Sequence, residues 1–207
     1  MDDEWSVTVM PGHPGWIDVP VGLTGGHLDA WVDDAMGRLR QEWASQWHDE
    51  SAAEVRQLLV SAAVARAPAA VLDLLYWPFP RPFVVRMSVL LGRSTPLSAW
   101  RDAGFEVDAF DSAKIGPGVR CIAMGETRDE ARHPLITVHF VFDDGERTLQ
   151  LTVEPMLLEL YAQVWPALLS VVCSVEVDRE DGRPFVPRPV SGYTLSDDDR
   201  FARTNGA

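Results

Sequence analysis

Histidine and cysteine are the side chains best suited to base, nucleophile and metal chemistry near neutral pH. This chain has five histidines and two cysteines. His13, His27, His48, His133 and His139 nowhere stand four apart on one helix or beside a cysteine pair, so no zinc spacing exists. His139 is the best placed of them. It falls in the middle of a strand, opposite Gln150 across a hairpin, where a general base is held rigidly and where Glu154 or Asp143 is the nearest candidate carboxylate. An ordinary half-buried histidine is the plainer reading of the same pattern. Cys121 and Cys173 lack a CxxC or any local nucleophile signature, and Cys121 reads as a small hydrophobe on a strand.

Three further clusters resolve into plain structure. Asp143, Asp144 and Glu146 crowd a hairpin tip, but the twelve-residue calcium loop is absent and the turn itself requires Asp-Gly. Gly116-Pro117-Gly118 has neither the Lys-Ser/Thr ending nor the following helix of a phosphate loop, and it reads as a turn. Asp197-Asp198-Asp199 is a solvated run in a tail. The expectation is therefore no catalytic residue, cofactor or metal, with His139 as the one alternative base.

Charge and aromatics point to binding. The net charge of −13 repels phosphate backbones and anionic lipid heads, which excludes general nucleic-acid and membrane-surface binding, and no apolar run reaches the length of a membrane span. The opening Met1-Asp2-Asp3-Glu4 is the reverse of a basic signal leader, and two cysteines make no disulfide framework, so the expected location is the cytoplasm. Seven acidic residues precede Arg38, the first basic one. Of eight tryptophans, Trp31, Trp43, Trp47, Trp77 and Trp165 lie on apolar stripes and belong to the core. Trp5, Trp16 and Trp100 stand near segment ends and, with Asp29 and Asp33, form the candidate interface for another protein or a second copy.

The elements that must carry these residues follow from periodicity. Leu28, Trp31, Val32, Ala35, Met36, Leu39, Trp43 and Trp47 make one helical stripe, with Asp34 and Arg38 as an i, i+4 pair on its polar side. Ser51-Ala52-Ala53-Glu54 is a capping box opening a second helix that ends near Arg66, before Pro68. Strands are expected over 69–77, 83–91, 105–110, 119–124, 135–142 and 147–153, with a short helix over 97–103. A two-residue turn at Asp144-Gly145 pairs Phe140 with Leu149, Val138 with Leu151 and Ile136 with Val153, all facing one way, and leaves His139, Val141 and Gln150 on a mixed face. A final helix over 156–174 is broken at Pro166, which opens its second segment.

The fold class is α+β: an antiparallel sheet of about 5–6 strands against helices. Residues 1–177 form one domain, with a helical front 26–66, a sheet 69–154 and the closing helix. Residues 178–207 are an irregular tail in which Phe185, Val186, Val190, Tyr193 and Leu195 can lie along the domain as a strap. The element order from Phe105 to Pro166-Ala167-Leu168-Leu169, with Gly116-Pro117-Gly118-Val119-Arg120, resembles actinobacterial proteins with a PsbP-like domain over about residues 69–178. That resemblance implies an adaptor or assembly role and supplies no catalytic residue. The expected function is a non-catalytic interaction module; the alternative is a small-molecule binder or hydrolase using His139 in a cavity between sheet and helices.

Overall fold

The computed structural model describes residues 5–179 and 182–194. Its elements run β1 (Trp5–Thr8), β2 (Trp16–Asp18), α1 (Gly25–Trp43), α2 (Ala52–Val64), β3 (Ala70–Tyr76), β4 (Val85–Arg93), α3 (Ser98–Asp102), β5 (Glu106–Ser112), β6 (Gly116–Glu126), β7 (Pro134–Asp143), β8 (Arg147–Leu157), α4 (Leu158–Ser174) and β9 (Glu176–Arg179). The α+β class holds, with more strands than expected: seven in one sheet of order β2-β3-β4-β8-β7-β6-β5, and β1 paired antiparallel with β9. The extra strands β1, β2 and β9 are only three or four residues long, too short for an alternating pattern to announce them. The chain gathers into two compact units, His13–Val89 and the remainder.

In the unit His13–Val89, the stripe on α1 buries Val32, Ala35, Met36 and Leu39 against Val55 and Leu59 of α2 and against Ile17, Leu75 and Trp77. The helix ends at Trp43, so Trp47 leaves the stripe and stacks on Trp43 from the following turn, 5.3 Å between centroids. Arg38 reaches back to the Trp16 carbonyl (3.0 Å). The capping box is not made: a 3-10 turn over Asp49–Ser51 gives Ser51 helical dihedrals, φ −85° and ψ −8°, which take its hydroxyl away from the first-turn amides. β3 carries a fully buried Asp73, met by Arg86 of β4 through Nε (2.9 Å) and Nη2 (2.5 Å), with the Ser88 hydroxyl at 3.4 Å.

In the other unit β7 is the spine. It pairs with β6 and with β8, and Val138, Phe140 and Phe142 turn toward the side of Leu149, Leu151 and Val153, all buried. Phe140 packs against Phe110 (4.9 Å) and stacks on Trp165 of α4 (5.9 Å). The hairpin register differs from expectation by two residues: Phe140 faces Leu151, Val138 faces Val153, and Asp143 faces Thr148. The cause is the turn. Asp144 Oδ1 accepts from the amides of Glu146 and Arg147 (2.7 Å each) and Asp143 Oδ1 from Gly145 (2.9 Å), which widens the loop to residues 144–147. An even shift preserves which side chains share a face.

Three other expectations change. Gly116-Pro117-Gly118 lies within β6 rather than forming a turn, and Gly118 is required there because a Cβ would sit 2.5 Å from the Phe142 ring. β8 runs on to Leu157 through a bulge in which Glu154 and Pro155 oppose Thr137, a position where a proline costs no ladder bond. Pro166 sits inside a continuous α4, whose Val164, Ala167, Leu168, Val171 and Val172 are all buried, so packing on both sides of the proline holds the helix together. The tail begins with β9 and continues without regular structure over 182–194; Leu195 and Asp197-Asp198-Asp199 lie outside the described residues.

Two stability measurements follow. Phe140→Ala is expected to cost about 3–5 kcal/mol in urea melts, against under about 0.5 kcal/mol for the exposed Met124→Ala. Arg86→Met, which strands the buried Asp73 carboxylate, is expected to cost about 3–5 kcal/mol.

Candidate functional site

β6 and β7 place Cys121 directly beside His139 on the sheet face opposite Phe140. This face was expected to be half exposed. Instead Val107, Val119, Cys121 and Val141 form a buried cluster, covered by Leu97, Trp100 and Phe105 around α3 and by Val190 and Tyr193 of the tail. The short 97–105 segment folds back because Gly104, at φ +89°, turns the chain from α3 into β5.

His139 is enclosed by rings. Trp100 lies 4.9 Å from it and Phe105 5.2 Å, the latter edge-on. Its Nδ1 shares a hydrogen bond with Thr152 Oγ1 (2.9 Å), while Gln150 Nε2 donates to the same hydroxyl (2.8 Å). Burial pulls the imidazole down to about 4, and it stays uncharged at neutral pH. The candidate carboxylates do not serve it: Glu154 is exposed at the bulge, and Asp143 accepts from Ser94, Thr95, Gly145 and Thr148. Burial, with the nearby Asp108 charge, likewise pushes the Cys121 thiol up to about 12, which removes the thiolate needed for nucleophilic chemistry.

Of the three aromatics expected at an interface one is buried and two are half-buried, each against a ring partner. Trp16 is buried and stacks on Tyr76 (4.8 Å); Trp5 meets Phe185 edge-on (6.1 Å) under the Arg179 guanidinium; Trp100 closes over His139. Asp29 and Asp33 remain on the surface of α1, where Arg56 of α2 reaches both, at 3.6 and 2.5 Å. The structure brings together His139 and Trp100 in one unit, and Asp29 and Asp33 in the unit His13–Val89.

Sequence reasoning passed over three buried charges. Asp73 and Arg86 pair inside the unit His13–Val89, and Arg120 of β6 lies 3.1 Å from Asp108 with its guanidinium 5.4 Å from the Trp165 centroid. The available signal was a charged residue at an inward position of an alternating strand, as in Val119-Arg120-Cys121. An open polar groove of about 730 Å³ also lies in the unit His13–Val89, between the turns carrying His48, Glu50 and Ser51 and the Pro80-Arg81-Pro82 loop. Among the described residues no group of three His, Cys, Asp or Glu side chains is placed to hold a metal, and no helix is long and apolar enough to cross a membrane. No protein-family model matches the chain, and no curated protein matches it.

The His139 environment carries a pH signature. In the unfolded chain the ring takes a proton near pH 6.5, whereas in the fold it resists until about 4, so the unfolded state binds more protons between these values. Stability is therefore expected to fall by up to about 3 kcal/mol as the pH drops through that window. His139→Gln, followed by urea melts from pH 7 to 4, should flatten this acid limb; an unchanged slope would refute the assignment.

Proposed function

We propose that the chain is a non-catalytic, cytoplasmic protein-interaction module of the PsbP-like kind, which engages a partner carrying basic groups. The observation that carries this reading is the surface of the helical pair. Asp29, Asp33, Asp34, Glu42, Glu50 and Glu54 are exposed along α1, the following turns and the start of α2, while the apolar stripes of both helices are turned inward. Exposed carboxylates in that number raise the encounter rate with a cationic surface and disfavour anionic ones. The enclosed, uncharged state of His139 supports binding over hydrolysis. Of the aromatic residues expected at this interface, Trp16 stacks on Tyr76 and Trp100 closes over His139, so the acidic face carries the reading.

The test is cross-linked capture of partners by the full chain in its source cells, compared with Asp34→Lys, Glu50→Lys and Glu54→Lys combined. A steered electrostatic contact should weaken by about tenfold or more on charge reversal, and likewise when salt is raised to shorten the screening length. A partner held equally by the reversed chain and at high salt would overturn the acidic face as its site. A second copy as the partner would appear as a charge-dependent dimer in light scattering.

A further inference from the structure

The tail segment 188–194 is seated on the sheet face of β5, β6 and β7 through contacts that read backbone as much as side chain. The Arg188 amide donates to the Asp143 carbonyl (2.7 Å), and at the other end the Ala109 amide of β5, the last strand of the sheet, donates to the Thr194 carbonyl (2.9 Å). Between these points Val190 and Tyr193 pack onto the Val107, Val119, Cys121 and Val141 cluster. The Arg101 guanidinium lies 4.1 Å from the Tyr193 ring centroid, and its Nη2 donates to the Gly192 carbonyl (3.4 Å). Upstream, Phe185 and Pro187 are buried, so the chain is anchored just before the segment begins.

Main-chain hydrogen bonds at the ends and two side-chain seats between them are the features by which proteins bind extended peptides. We propose that this face is a docking groove for an extended peptide bearing an aliphatic residue and, three positions later, an aromatic one, and that residues 188–194 fill it in cis as a displaceable strap. The groove is independent of the acidic helical face. A tethered strap acts at an effective concentration on the order of 1 mM. A strap segment with an intrinsic dissociation constant of about 10 μM would therefore fill the groove about 100:1, and a free peptide would bind the full chain about 100-fold more weakly than the open groove.

The probe is a labelled peptide of the strap's own sequence, residues 188–194, followed by fluorescence anisotropy. A chain ending at Pro187 is expected to bind it about 100-fold more tightly than the full chain does. A peptide with Ser in place of Tyr193 is expected not to bind. Should the shortened chain fail to fold, the full-length Val190→Ser/Tyr193→Ser variant opens the same groove. In a Cys173→Ser background, Cys121 should then alkylate faster than in the parent, and slow again when the peptide is added. Equal peptide affinity for full and opened chains, or Cys121 alkylation that the peptide does not slow, would overturn the proposal.

Discussion

A central strand buried on both faces is the constraint from which most of this molecule follows. From Val138 to Phe142, β7 has no solvent-facing side chain, so the sheet requires a cover on each side. On one side α4 supplies it, with Trp165 laid against Phe140. On the other the cover is assembled from the 97–105 segment and the tail. The state of His139 is a consequence of that second cover. An imidazole in the middle of such a strand is desolvated, and the side chains across the hairpin from it, Gln150 and Thr152, are neutral hydrogen-bonding groups that stabilise an uncharged ring.

The other unit is organised by charge as well as by apolar packing. Asp73 enters the interior only because Arg86 offers a two-pronged match from the neighbouring strand, so the pair fixes how β3 and β4 align. At the surface the same chemistry is looser: Arg56 spans two carboxylates one helical turn apart on α1 and ties the helices together in an exposed setting where such pairs contribute little. The carboxylates that remain along α1 and the start of α2 leave this surface strongly negative.

Much of the fold was legible because periodicity is local. The stripe from Leu28 to Leu39 and the alternation from Ile136 to Phe142 each encode a buried face, and an even register error leaves that face intact. What was not legible depends on contacts between distant positions. The Asp144 side chain competing for turn amides moved the hairpin by two residues, a 3-10 turn displaced the Ser51 cap, and packing on either side of Pro166 kept α4 whole. The site was harder still. Nothing in the neighbourhood of His139 along the chain reveals that Trp100 and Phe105, more than thirty residues earlier, close around it, and this closure decides whether the ring is a base or a filler.

The Arg188 side chain lies across the hairpin tip so closely that its guanidinium occupies the space where any Cβ on residue 145 would stand, and its Nε donates to the Asp144 carbonyl (3.3 Å). Gly145 is held as glycine by its φ of +94°. The arginine above it adds a constraint of another kind: a flexible guanidinium can swing aside for a larger side chain, but in doing so it gives up its bond to the Asp144 carbonyl. A substitution at 145 that the turn tolerates is therefore felt more than forty residues downstream, where the tail loses one of its two holds on the hairpin, and the Arg188 amide on Asp143 is the one that remains.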